Sequence, residues 1–175
     1  MAELFKTNPE KLNNLLDEVS SGDIQLPDFQ RGWVWDETRI KNLLISVASR
    51  FPIGAVMMLD AKGENAKFSS VPLHNTNGVN HNPGRLLLDG QQRLTSLYQT
   101  LKHKGATETT SEKNKKKTLK RHYYFSILEM IKDEPDEETL IFIANEKKMS
   151  RQTGTINAYD VSTVDKECEH WRRSP

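Results

Sequence analysis

The chain of 175 residues carries 25 Lys and Arg against 24 Asp and Glu, a formal charge of +1, so no global field draws it to nucleic acid or to an acidic membrane; such contacts need a local patch. With 35% apolar and 28% charged residues and a mean hydropathy of -0.69, it suits one domain with a modest core and a polar groove, or a piece of something longer, better than a deep-cored enzyme. One cysteine, Cys168, excludes an internal disulfide framework and a cysteine-built zinc cluster, and no run approaches the roughly 18 apolar residues of a membrane span.

In chain order, Met1-Ala-Glu-Leu-Phe-Lys6 lacks the apolar region of a signal peptide, which makes the cytoplasm the default location. The stripe Leu12, Leu15, Leu16 and Val19 then predicts a helix with Asn8 as N-cap, Pro9 at N1 and a stop near Ser20-Ser21-Gly22. A strand over Ile24 to Leu26 follows. The second helix, on Ile40, Leu43, Leu44 and Val47, is capped by Asp36 and halts before Phe51, which the ring of Pro52 biases away from helical geometry. Ala55 to Leu59 and Arg85 to Leu88 read as strands. Their continuous apolar runs, Val56-Met-Met-Leu59 and Leu86-Leu-Leu88, suit central positions covered on both faces. Between them, residues 72 to 84 are turn formers almost throughout and predict a long loop.

A third helix carries Leu94, Leu97, Tyr98 and Leu101, starts just after Asp89-Gly90 and closes on Lys102, His103 and Lys104, with Gly105 as a left-handed stop. Residues 106 to 121, with Lys115, Lys116, Lys117, Lys120 and Arg121 at their end, predict a mobile solvated loop. Strands over Tyr123 to Leu128 and Leu140 to Ala144 flank an acidic turn at 132 to 139. The fold class is α/β in the α+β sense: a small mixed sheet flanked by helices, with residues 1–105 as the main unit and 106–175 continuing the same domain. The closing run Cys168-Glu-His-Trp-Arg-Arg-Ser-Pro175 has no helix stop signal, as a fragment of a longer chain would show.

The densest chemical signal is Leu86-Leu-Leu-Asp-Gly-Gln-Gln-Arg-Leu-Thr-Ser-Leu97. An apolar strand delivers Asp89, Gly90 allows a sharp turn, and a helix opens with Gln91, Gln92 and Arg93 in its first turn. Bare N–H groups and the positive end of the helix dipole make such a tip an anion site. Arg93 adds a planar cation that matches phosphate, and Asp89 can hold magnesium or polarise a water. An Asp-Gly turn alone is ordinary; three long polar side chains where acidic ones are usual single this one out.

A second cluster, Pro27-Asp-Phe-Gln-Arg-Gly-Trp-Val-Trp-Asp36, sets Gln30 and Arg31 beside Trp33 and Trp35. Stacking faces with hydrogen-bonding heads suit a nucleobase, although at least one tryptophan of such a strip is better read as a core anchor under a loop. The basic residues Lys115, Lys116 and Lys117 offer contacts to a phosphate backbone that read no sequence. His74 and His81 flank an Asn-rich loop without a carboxylate in a clear frame, a weak metal signal.

Taken together, Pro-x-Phe-Gln-Arg-x-Trp-x-Trp, a following helix ending in Phe-Pro-Ile-Gly54 and then Leu-Asp-Gly-Gln-Gln-Arg-Leu-Thr-Ser-Leu resemble the N-terminal domain of GmrSD-type modification-dependent restriction proteins. The match covers about residues 10 to 104. The resemblance implies a ParB/sulfiredoxin-like fold that binds and hydrolyses a nucleoside triphosphate with magnesium, coupled to a C-terminal HNH-type nuclease domain or partner subunit that cuts modified DNA. It places Asp89, Gly90, Gln91, Gln92 and Arg93 on the nucleotide signature and Gln30 and Arg31 on the facing motif. In that scheme Asp89, Gln91 and Arg93 are the catalytic set and Asp89 also meets the metal, while Trp33, Trp35, Lys115, Lys116 and Lys117 are the candidate DNA-binding residues, the surface that a non-enzymatic DNA-binding module would use. No membrane partner is implied, and a homo-oligomer is allowed. The alternative is a non-enzymatic DNA-binding module that senses modified DNA.

Overall fold

β1 (Ile24–Pro27) runs parallel to β4 (Arg85–Asp89), with Ile24 opposite Arg85 and Gln25 opposite Leu86. In the computed structural model, which describes residues 9–61, 68–76, 82–103, 105–111, 114, 117–132 and 134–145, two further strands complete this sheet. β2 (Met57–Asp60) pairs antiparallel with β4, and β3 (Ser70–Val71) antiparallel with β1, giving the order β2-β4-β1-β3. Every residue of β1 is buried, as are Leu86 and Leu87 of β4. Two parallel neighbours end at the same side, so the carboxyl ends of β1 and β4 together present Gln30 and Asp89.

Three helices close over the apolar strands. α1 (Leu12–Ser21) ends at Gly22, whose φ of 79° lets the chain leave through the left-handed region while the Asp23 N–H donates to the Glu18 carbonyl at 2.9 Å. α2 (Glu37–Ala48) is capped by Asp36, which accepts the Arg39 N–H at 2.9 Å. α3 (Gln91–Leu101) follows β4 after a single residue. Leu16 and Val19 of α1, Ile40 and Leu44 of α2, and Leu94 and Leu97 of α3 meet Ile24, Leu26 and Leu87 in one core.

A second, antiparallel sheet holds β5 (Thr107–Thr110), β6 (Thr118–Phe125) and β7 (Ile141–Asn145) in that order, with the short helices α4 (Ile127–Met130) and α5 (Glu137–Leu140) between β6 and β7. Leu140 and Ile141 enter the same core as α1 to α3. The Thr110 N–H donates to the Trp35 carbonyl at 3.1 Å and ties this sheet to the loop before α2.

The small mixed sheet with flanking helices agrees with the α+β pattern of the sequence, and several details differ. Residues 107–110 form a strand rather than solvated loop, because Thr107 and Thr109 point inward and are buried. Of the run Val56 to Leu59, only Met57 to Leu59 are strand, and they lie in an edge strand, not a central one; Val56 and Met57 are exposed. α1 starts at Leu12 behind Lys11, leaving Pro9 ahead of the helix, while Asn8 lies outside the described residues. α3 stops at Leu101 with Lys102 as its C-cap, so the basic residues follow the helix instead of filling its last turn. Leu128 sits in α4 rather than in β6, and residues 137–139 of the acidic stretch form α5 together with Leu140, which ends that helix instead of opening β7.

Candidate functional site

The tip where β4 turns into α3 is built by two close approaches. Gly90 has φ 91°, a left-handed backbone that glycine adopts without cost, and a Cβ there would meet Val56 Cγ1 at 2.6 Å. Gly90 is also the N-cap of α3 and offers no side chain to the first-turn amides. The tip borders a cleft of about 210 Å³ lined by Gln30, Arg31, Trp35, Leu88, Asp89, Gly90, Gln91, Gln92 and Arg93. Both sequence motifs thus converge on one cavity, through the parallel pairing of β1 with β4.

The two glutamines of the first turn serve the facing loop with their side chains. Gln91 Nε2 donates to the Arg31 carbonyl at 2.8 Å. Gln92 donates from Nε2 to the Gly32 carbonyl at 3.2 Å and accepts the Val34 N–H at 2.9 Å. Both residues are buried, so what they present to an anion is backbone rather than side chain. Gln30 Nε2 donates to the Leu88 carbonyl at 2.9 Å and so fastens the loop to the end of β4.

Arg93 donates through Nη1 to the Ile53 carbonyl at 2.6 Å and through Nη2 to the Ala55 carbonyl at 2.8 Å, with Asp89 Oδ2 at 3.4 Å. Its side chain is 23% exposed, against 73% for Asp89. A carboxylate that open has room for a cation, a water or a phosphate-bound metal. Among the described residues no three His, Cys, Asp or Glu side chains gather to hold a metal. A magnesium ion at Asp89 would accordingly draw its remaining ligands from phosphate oxygens and water, its usual habit in nucleotide sites. Arg31 is exposed and also lines the cleft.

Of the remaining site candidates, Trp35 alone lines the cleft. Trp33 packs against the core, donates from Nε1 to Ser96 Oγ at 3.4 Å and stacks on His74 with ring centroids 5.6 Å apart and 10° between planes. Trp35 also packs on the core while its edge reaches the cleft. Lys117 is exposed immediately before β6, away from the cleft lining, and Lys115 and Lys116 lie outside the described residues.

Two features are not evident from the motifs. His74 forms a 2.7 Å pair with Glu108 of β5, and that hydrogen bond holds the Glu108 carboxyl below the usual carboxylate range. The Ile53–Ala55 turn, held by Arg93, is the second; its signal was Gly54 after Phe51-Pro-Ile, a glycine with φ 87°.

Compared with known proteins, residues 12–170 match the family described as GmrSD restriction endonuclease, N-terminal domain. "Uncharacterized protein MJ0686" of Methanocaldococcus jannaschii is 39% identical over 93 residues, an alignment that takes in 49% of this chain and 16% of that protein. The chain therefore corresponds to a small part of that relative's length. Among the described residues no helix is long and apolar enough to cross a membrane.

Proposed function

Since the chain belongs to the family of GmrSD restriction endonuclease N-terminal domains, we propose that its β4–α3 cleft binds a nucleoside triphosphate with magnesium and hydrolyses it, in a restriction system that cuts modified DNA through a nuclease domain or subunit. The observation that carries this reading is the uncapped amino-terminal tip of α3, entered through Gly90 and opening on a cleft with a 73% exposed carboxylate. Bare amides and the helix dipole favour a polyphosphate there.

Asp89 would orient magnesium or the attacking water, and Arg31 and Arg93 both line the cleft. Little else is needed, because phosphoryl transfer is catalysed mainly by positioning and by stabilising charge. Gln30, Gln91 and Gln92 would act by holding the loop that carries Arg31 against the tip. The ParB-like character of the domain and its contact with DNA belong to the same proposal.

The test is thermal unfolding of the full chain with each of the four nucleoside triphosphates, with and without magnesium, for wild type and Arg31→Ala. A ligand that binds only the folded state at a hundred times its Kd stabilises by about 2.7 kcal/mol. At least one triphosphate should raise the wild-type midpoint, and Arg31→Ala should shrink the shift. Flat melts with all four would remove the proposal and leave a DNA-binding module as the better reading.

A further inference from the structure

Resting on the nucleotide reading above, we infer that Arg93 is a positioning residue that clamps the Ile53–Ala55 turn onto the cleft, and that Arg31 is the cation left to meet the polyphosphate.

The two guanidiniums differ in what they already hold. Arg93 spends Nη1 on the Ile53 carbonyl and Nη2 on the Ala55 carbonyl, with Asp89 Oδ2 at 3.4 Å from the same Nη2. Both faces of the turn are thereby fixed from α3. Arg31, exposed on the facing loop, has no hydrogen-bond or ion-pair partner for its guanidinium among the described residues. Arg93 has committed two of its five N–H donors, and with them the orientation of its guanidinium, to the Ile53 and Ala55 carbonyls, whereas Arg31 keeps all five and is free to turn toward an anion.

Backbone geometry shows that the clamp is built in. Gly54, at the centre of the turn, has φ 87°, and a Cβ there would collide with Arg93 Nη1. One residue past the turn, Val56 packs so closely on Gly90 that a Cβ on that glycine has no room. The guanidinium thus sits in a space left by one glycine, and the adjoining tip in a space left by another. Asp89 touches the same guanidinium at 3.4 Å.

The experiment compares wild type, Arg93→Ala, Arg93→Lys, Gly54→Ala and Arg31→Ala by hydrogen exchange without ligand, and by the salt dependence of affinity for inorganic triphosphate with magnesium. If Arg93 clamps, exchange of the amides of residues 54–58 speeds up about tenfold in Arg93→Ala, while the affinity that remains keeps the wild-type salt slope. Lysine should not rescue, since one ammonium cannot span two carbonyls and a carboxylate. Gly54→Ala should speed exchange as well, through the strain of a Cβ at φ 87° as much as through the displaced guanidinium, so Arg93→Lys, and not Gly54→Ala, decides the matter should Arg93→Ala fail to fold. Arg31→Ala should leave exchange at 54–58 unchanged and flatten the salt slope. Unchanged exchange in Arg93→Ala or, where that variant does not fold, in Arg93→Lys, or a slope flattened by Arg93→Ala and not by Arg31→Ala, overturns the inference. Should wild type bind neither triphosphate nor any nucleotide, the nucleotide reading falls, and the exchange arm still decides the clamp.

Discussion

Gln92 and Val34 are joined across 58 residues of sequence: the side-chain oxygen of the first accepts the backbone N–H of the second at 2.9 Å. The same amide donates to Gly32, so one buried side chain satisfies two backbone groups of the loop that carries Arg31. Gln92→Leu removes both of these part-buried hydrogen bonds, a loss of about 1 kcal/mol because the freed backbone groups of exposed residues can turn to water. Urea denaturation should register it, with faster exchange at Val34. Wild-type stability in Gln92→Leu would mean that the loop is held by other contacts.

The glycine tip makes a separate forecast. Gly90→Ala puts a methyl group 2.6 Å from Val56 Cγ1 on a backbone with φ 91°. Strain and overlap together should cost about 1–3 kcal/mol. Adding Val56→Ala removes the overlap but not the backbone strain, so the double variant should recover part of the loss. Full additivity of the two single effects in denaturation would contradict that account.

How far the sequence speaks is visible in these residues. The period of Leu94, Leu97, Tyr98 and Leu101 and the Asp89-Gly90 break locate α3 and its tip, because helix starts and apolar stripes are local signals. The role of Gln91 and Gln92 is not local: their partners are Arg31, Gly32 and Val34, brought near only by the parallel pairing of β1 with β4. Long polar side chains at a helix start draw attention to the anion, yet their amides hold a loop. Thr107 to Thr110 carried a strand signal in alternating threonines, which the charged run after it obscured; burial of Thr107 and Thr109 decides in favour of β5. Val56 to Leu59 is the opposite case. Its apolar run suits an interior strand, but the sheet ends there.

Tyr123 presents a hydroxyl that is buried without a hydrogen-bond partner among the described residues, and burial, with the nearby Glu37 carboxylate, pushes its ionisation well above the usual phenol range. An unpaired buried hydroxyl contributes nothing and carries its desolvation cost. Tyr123→Phe should therefore unfold at the wild-type temperature or above it. A fall of more than about 1 kcal/mol in chemical denaturation would show that the hydroxyl has a partner in solution.

Acid stability should depend on His74 and Glu108. The hydrogen bond from His74 lowers the Glu108 carboxyl from its ordinary value of 4.5, so the folded state binds that proton less readily than the unfolded chain. The resulting stabilisation is present above the ordinary carboxylate value and is lost as pH falls through the lowered one. Both side chains are partly exposed, which keeps the effect to about 0.5 kcal/mol. Melting wild type and Glu108→Gln from pH 7 to pH 3 should show a gap that closes on the acid side. A gap that widens on acidification would reverse the assignment.

Asp89→Asn separates chemistry from folding most cleanly. The carboxylate is 73% exposed, and its recorded contact is Arg93 Nη2 at 3.4 Å, a pair that a neutral amide of the same shape replaces at little cost. Stability should stay within about 0.5 kcal/mol of wild type. What changes is the affinity for a hard cation, because an amide oxygen carries no charge for magnesium. Magnesium-dependent hydrolysis should fall at least about tenfold, the lower range for groups that merely support a metal ligand. Triphosphate binding without magnesium should persist, since the first-turn amides of α3 remain. Undiminished hydrolysis in Asp89→Asn would move the catalytic carboxylate elsewhere; loss of metal-free binding would show that Asp89 shapes the tip itself rather than serving the ion.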